Sequence, residues 1–265
     1  VVLPCEPGEH DLAVKLNNVP LSSRWYPGAG LFRPVRLVLG DEGGIPVWGQ
    51  SLVTPDLETL EVKTELRNPR NRKTAVRHRV LDASGRCVAS GASPLKVSGA
   101  SPWTPETPVL YTLETSVECE GKMVDVRRER FGFRTVGTRG RAITLNGNEI
   151  FTRGNVENAN FARDGVPWMD VGDWRRVFRI LKEEDGVNAI RFHSWTPPAA
   201  AFAAADELGV LLQPEACMWT DRWMSSIADE IGNGKPVDAF VKRELRDIVD
   251  AYGNSPSFLS LSIGN

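Results

Sequence analysis

The sequence predicts a multidomain protein, all-β in its first half and α/β in its second. Two patterns carry that reading. Between about residues 42 and 136, apolar and polar side chains alternate with period two and turn signals separate the runs, as in half-buried strands. From about residue 137, short apolar runs alternate with segments of helical i, i+3, i+4 spacing, the texture of serial β/α units. A chain of 265 residues with 41% hydrophobic and 25% charged residues has a globular balance and enough length to bury a substantial core.

Residues 1–41 hold two β-like runs, Leu12-Ala13-Val14-Lys15-Leu16 and Val35-Arg36-Leu37-Val38-Leu39. A Gly/Pro/aromatic loop from Trp25 to Arg33 lies between them. So few strands make no stable sheet alone, so this stretch reads as the tail of a larger β domain. In residues 42–136, Leu60, Val62, Thr64 and Leu66 alternate with Glu61, Lys63 and Glu65, and Thr74, Val76, His78 and Val80 alternate with Arg77 and Arg79. Asp82-Ala83-Ser84-Gly85 and Glu120-Gly121 are turns. Roughly seven short strands at this spacing fit an immunoglobulin-like sandwich without the Cys…Trp…Cys pattern of antibody domains.

Residues 137–265 predict four β/α steps. Ile150-Phe151-Thr152 is a short strand. Asp170 caps a helix carrying Trp174, Val177, Phe178 and Leu181. Asn188–Phe192 is a strand, and Pro197-Pro198 opens an Ala-rich helix that Gly209 ends. Val210–Gln213 is a strand, a helix runs from Phe240 to Gly253, and Phe258–Ile263 is a fourth strand. Serial units of this kind form either a barrel or an open doubly wound sheet. No glycine-rich phosphate loop stands at any strand-to-helix turn.

Composition narrows the function. A net charge of −2 gives no electrostatic footprint for nucleic acid. The one basic run, Arg67–Lys73, reads as a solvated hairpin loop, and no apolar run reaches the length of a membrane span. The four cysteines and three histidines are too scattered for a zinc site, and disulfides are left open. The chain begins Val-Val with no signal-like segment, which leaves the compartment open, secreted, periplasmic or cytoplasmic.

Six motifs in one order resemble glycoside hydrolase family 2, the group of β-galactosidases, β-glucuronidases and β-mannosidases. They are Arg24–Arg33, Trp103-Thr104-Pro105-Glu106-Thr107-Pro108-Val109-Leu110-Tyr111, Phe131-Gly132-Phe133-Arg134 with Leu145-Asn146-Gly147, Asn188-Ala189-Ile190-Arg191, Ala205–Gly209, and Asn254-Ser255-Pro256-Ser257 through Gly264-Asn265. Two places depart from the family pattern. Arg153-Gly154 is followed by Asn155-Val156-Glu157-Asn158 where an Asn-Arg-His-Glu-like run is usual, and His193-Ser194-Trp195 stands where Ser-His-Tyr is usual.

The resemblance implies three pieces: the end of a jelly-roll sugar-binding domain at 1–41, an immunoglobulin-like sandwich at 42–136, and the N-terminal half of a TIM barrel at 137–265. It implies retaining, exo-acting cleavage of β-glycosidic bonds by double displacement, with carboxyl groups from barrel strands four and seven. The acid/base Glu is then expected immediately after Asn265, so that the chain is a truncated fragment without turnover of its own. No cofactor is implied. A divalent cation and a homo-oligomer are left open for the parent, whose partner is a carbohydrate.

Barrel sites sit at the C-terminal ends of strands, which selects the candidates. Arg191, His193 and Trp195 follow strand two, as a carboxylate anchor, a hydroxyl contact and an aromatic sugar platform, or alternatively as an internal ion pair and core residues. Glu157 follows strand one as a substrate contact or a partner of Arg191. Glu215 follows strand three, where the resemblance implies a hydroxyl contact or, in some members, a cation ligand. Trp219 and Trp223 are a subsite wall or a hydrophobic lid. Asn265 ends strand four, and in the resembled family this Asn bonds the hydroxyl next to the anomeric carbon. The rival classes are a noncatalytic carbohydrate-binding β-sandwich protein, which the β/α half disfavours, and a different barrel enzyme such as an aldolase or metal-dependent hydrolase, for which the sequence shows no lysine or metal cluster at strand ends.

Overall fold

The computed structural model describes residues 8–17, 30–161, 163–218, 231–232, 234 and 236–265. Seven strands come first: β1 (Gln50–Val53), β2 (Thr59–Thr64), β3 (Thr74–Leu81), β4 (Cys87–Gly91), β5 (Leu95–Lys96), β6 (Tyr111–Cys119) and β7 (Lys122–Phe131). They form two antiparallel sheets, β1-β2-β5 and β4-β3-β6-β7. The alternation read from the sequence is visible as burial: along β6 every second residue from Tyr111 to Cys119 is buried. Leu60 and Val62 of one sheet meet Val80, Leu113 and Phe131 of the other in a single core. Leu60, Val80 and Leu113 have no exposed surface, and each such side chain contributes about 1.5–3 kcal/mol of apolar burial.

Local chemistry sets the connections. The β6–β7 turn has Glu120 and Gly121 both at positive φ (51° and 78°), the geometry of a type I′ hairpin. The basic run lies between β2 and β3 as a loop closed on itself by the Asn68 side chain, which accepts from the Arg72 amide and donates to its carbonyl.

A small antiparallel sheet, β8 (Val136–Arg139), β9 (Ala142–Leu145) and β10 (Asn148–Glu149), leads into the second half. There β11 (Gly154–Glu157), α1 (Val171–Glu183), β12 (Ala189–Phe192), α2 (Ala199–Leu208), β13 (Leu211–Gln213) and α3 (Pro236–Tyr252) follow. The strands are parallel in the order β11-β12-β13. Asp170 caps α1 through its carboxylate on the Gly172 amide (2.7 Å), and Trp174 and Phe178 of α1 pack with Ile190, Phe192, Leu212 and the alanines of α2.

Three expectations need correction. Residues 12–16 and 35–39 form no strands. Leu12, Val14, Leu16, Val35, Leu37 and Leu39 are all exposed, and a lone β-like run with no partner has nowhere to place its hydrogen bonds. The first parallel strand is Gly154–Glu157 rather than 150–152. The Asn188 side chain takes the Phe151 carbonyl and the Arg153 amide, so ladder pairing begins only at Gly154 opposite Ala189. The segment 258–263 forms no ladder with β13: two isolated parallel bridges join it to the chain at and just after β13, Leu212 with Phe258 and Glu215 with Ser262, and the Gln213 side chain donates to the Ser260 hydroxyl (3.0 Å). Pro214 lies between the bridges and has no N–H to donate. Between the bridges two residues on one side, Gln213 and Pro214, face three on the other, Leu259 to Leu261, a one-residue bulge.

Polar contacts fasten the sandwich to the parallel sheet. The Trp103 indole donates to the Asp206 carbonyl (2.8 Å), and Arg134 donates to the carbonyls of Ser255 (3.2 Å) and Phe258 (2.8 Å). Asn254 pairs with the edge of β1 as another strand would, accepting from the Leu52 amide and donating to the Gln50 carbonyl. Gly209 ends α2 at φ 69°, and a Cβ there would lie 2.2 Å from the Pro105 carbonyl oxygen. Only glycine satisfies both the left-handed turn and that approach.

Candidate functional site

The C-terminal ends of β11, β12 and β13 converge with the end of the fourth segment. Glu215, two residues past β13, is fully buried. Its Oε1 accepts from Arg191 Nε at 2.5 Å and its Oε2 from the Ser194 amide at 2.6 Å. The second amide arises because Ser194 turns back at φ 62°, in the left-handed region, immediately after β12. Arg191 then reaches across the sheet, donating from Nη2 to Asn265 Oδ1 at 2.9 Å. One guanidinium thus joins the residues expected at the ends of strands three and four. Arg191 was expected to anchor neighbouring carboxylates, with Glu157 as its named partner, whereas its pairing with Glu215 and Asn265 and the amide of Ser194 were not foreseen; a positive φ at a serine leaves no trace in composition or spacing.

The end of the fourth segment is fixed by close packing. Gly264 sits at φ 135° with the Met218 carbonyl oxygen 2.7 Å from where a Cβ would stand, and the Asn265 amide donates to that same carbonyl at 3.3 Å. The Gly-Asn pair is therefore placed by the loop after β13.

Glu157 ends β11. Its Oε1 accepts from the Ala159 amide (2.9 Å), while Oε2 is buried without a hydrogen-bond partner. Burial is the main reason its carboxyl is held above the usual range, against amide hydrogen bonds that pull the other way. It does not pair with Arg191. The His193 amide donates to the Glu157 carbonyl (2.8 Å), and His193 Nδ1 lies 3.0 Å from the Ser194 hydroxyl. His193 thus lies at the junction of β11 and β12.

Trp195 is only 8% exposed and sits in the α/β core, edge-on to Phe161 and Phe192, with its indole donating to the Glu157 carbonyl (3.2 Å). The structure makes it a core residue that locks β12 to β11 rather than an open platform; an apolar ring three residues past a strand end packs inward here because Ser194 reverses the chain before it. Trp219 and Trp223 lie outside the described residues. As for a cation at Glu215, both carboxylate oxygens are already engaged by N–H donors, and among the described residues no three His, Cys, Asp or Glu side chains gather. That donor set does not fit a divalent ion. No described helix is long and apolar enough to cross a membrane.

The architecture is mostly β-sheet with a few helices, and known proteins share it. A β-glycosidase from Bacteroides vulgatus superposes with a TM-score of 0.74 at 23% identity, over 93% of this chain and 33% of that one. Residues 51–134 match the family model described as glycosyl hydrolases family 2. A β-galactosidase of Bacteroides ovatus is 28% identical over 276 residues, 96% of this chain and 32% of its own length. A β-galactosidase of an Arthrobacter species is 27% identical over 283 residues, 98% of this chain and 25% of its own length. These relatives are glycoside hydrolases, and the resemblance to family 2 read from the motifs is thereby shown. The chain spans about a quarter to a third of the length of the curated relatives it matches.

Proposed function

We propose that this chain carries substrate-positioning groups of a retaining, exo-acting family 2 glycoside hydrolase. In this reading residues 1–41 end a jelly-roll sugar-binding domain, 42–136 are an immunoglobulin-like sandwich, and 137–265 are the first half of a TIM barrel. The observation that carries it is the Glu215–Arg191–Asn265 chain of hydrogen bonds across the C-terminal ends of parallel strands, where barrel enzymes hold their substrates. Arg191 fixes the Asn265 amide by its oxygen, which leaves the amide group oriented for the hydroxyl beside the anomeric carbon. Glu157 offers an acceptor for a second hydroxyl, and His193 lies beside it.

Retaining hydrolysis needs two carboxyl groups about 5–5.5 Å apart, one protonating the leaving oxygen and one attacking the anomeric carbon. Glu157 and Glu215 are not that pair, since Glu215 is consumed by Arg191 and the Ser194 amide. We place the acid/base directly after Asn265 and the nucleophile further along the parent, whose relatives are three to four times longer. Hydrogen bonds from Asn265 then strengthen as oxocarbenium character develops.

The test is hydrolysis of chromogenic β-galactosides, β-glucuronides and β-mannosides by the longer protein that contains this sequence. Asn265→Ala is expected to lower kcat/KM by about two orders of magnitude, as for loss of a bond made mainly in the transition state. Residues 1–265 alone are expected to show no turnover. Full activity of the Asn265→Ala enzyme on every glycoside cleaved by the wild type overturns the role of Asn265, and an inverted product anomer overturns the retaining mechanism.

A further inference from the structure

The segment 30–41 has no regular structure, and its apolar residues Leu31, Phe32, Val35, Leu37 and Leu39 face solvent. One of its side chains nevertheless makes a long-range contact. Arg33 Nη2 donates to the carbonyl of Thr196 at 2.5 Å, across 163 positions of sequence. Thr196 is 5% exposed and belongs to the stretch that clasps Glu215. The Thr196 hydroxyl donates to the Glu215 carbonyl (2.9 Å), the Trp195 carbonyl accepts from the Glu215 amide (3.2 Å), and the Ser194 amide donates to the Glu215 carboxylate. Residues 194–196 therefore hold Glu215 by main chain and side chain together, and Arg33 grips the outer end of that clasp.

The guanidinium also acts on two further elements. Burial pushes the Tyr252 phenol at the end of α3 up, and Arg33 beside it pulls the other way. Although Cys217 is an exposed residue, desolvation at its sulfur and then Glu244 raise the thiol, which the Arg33 charge opposes. Arg33 thus bridges the exits of β12 and β13 and the end of α3. A charged fork held on a buried carbonyl is a directional contact, unlike the solvated apolar residues around it.

We propose that Arg33 is a positioning residue for the candidate site, acting through Thr196 to hold the Ser194–Thr196 clasp on Glu215 and thereby the Arg191–Asn265 pair. The use of that site for sugar rests on the function proposed above; the mechanical coupling does not. Arg33 lies in the Trp25–Arg33 motif, which the site as described leaves unused. The coupling makes a segment remote in sequence part of the machinery that orients the site.

Hydrogen exchange read by mass spectrometry on the 265-residue chain tests this without any sugar. In Arg33→Ala, amides in peptides covering 193–197 and 214–218 are expected to exchange about three- to tenfold faster, the range for losing one hydrogen bond of ordinary net strength. Amides of β6 and β7 are expected to be unchanged. Arg33→Lys, which keeps a cationic donor, is expected to recover at least half of the protection, and it also serves if the alanine variant fails to fold. Unchanged exchange at 193–197 overturns the proposal, as does a rise of equal size in β6 and β7 or a lysine variant no better protected than alanine. A parent enzyme that cleaves no glycoside leaves these outcomes intact and sinks only the sugar reading.

Discussion

Glu215→Ala is the perturbation that most directly probes the site. The carboxylate is 1% exposed and serves two donors, Arg191 Nε at 2.5 Å and the Ser194 amide at 2.6 Å. Breaking a buried ion pair by removing one partner costs about 3–5 kcal/mol, and orphaning a buried amide costs about 1–3 kcal/mol. The two do not add in full. Arg191 is 37% exposed, so water takes over part of its solvation and the ion-pair figure must be discounted. The expected loss is about 2–4 kcal/mol, which at about 2–4 °C per kcal/mol lowers Tm by about 4–16 °C. Glu215→Gln keeps an acceptor oxygen and is expected to lose only about 1–2 kcal/mol. Urea unfolding followed by tryptophan fluorescence reads the effect locally, because Trp174 and Trp195 lie in the same core cluster. An alanine variant within about 0.5 kcal/mol of wild type, or a glutamine variant as damaged as alanine, would falsify the account of Glu215 as the anchor of Arg191 and Ser194.

Gly209→Ala is expected to destabilise by about 2–4 kcal/mol, because the left-handed turn is strained for alanine and the Pro105 carbonyl must move; a Tm equal to wild type in calorimetry would show that the sandwich does not press on α2 as described. Asp206 is buried and accepts from the Ser255 hydroxyl and Ser257 amide, yet burial dominates and raises its folded pKa above 3.8. A raised carboxyl contributes its stability below the unfolded pKa and loses it as pH rises through the folded one. Asp206→Asn, whose oxygen keeps the Ser257 amide and whose NH2 donates to the Ser255 hydroxyl once that turns round to accept, is therefore expected to be at least as stable as wild type at pH 7 and to lose that advantage towards pH 4 in urea titrations. The His78 imidazole is held below 6.5 by burial, so its contribution is lost as pH falls below the unfolded value; His78→Gln is expected to flatten the stability profile below about pH 6.5 in urea titrations.

Much of the fold was legible because it depends on local periodicity. The alternation in β2 and β3, the Asp170 cap and the Gly209 stop all name their elements within a residue or two. What depends on partners was not legible. Leu12–Leu16 and Val35–Leu39 have the right composition for strands, but no neighbour among the described residues completes their ladders. The site was partly legible. Arg191, Glu215 and Asn265 stand at strand ends and meet there. Trp195 stands at a strand end too and packs inward, because the direction of a side chain after a strand is set by a backbone reversal at Ser194 that spacing cannot reveal.

The attachments between the halves suggest why a sandwich accompanies such a site. The groups that hold the fourth segment come from the sandwich side: Arg134 on the carbonyls of Ser255 and Phe258, and Glu129 with the β1 edge on Asn254. Burial lowers the Arg134 pKa to about 10, so the cation is kept charged at neutral pH despite its surroundings. Asp206 on α2 holds the same segment from the other side through Ser255 and Ser257. Beyond that clamp come two isolated bridges with Pro214 between them and the Gln213 side chain on the Ser260 hydroxyl, before Gly264 meets Met218 and Asn265 meets Arg191. The segment is thus fixed at its entrance by the sandwich and at its exit by the site, with the bulge between absorbing any mismatch. A substitution at the entrance should therefore reach Asn265 as a loss of orientation before it is felt as a loss of fold.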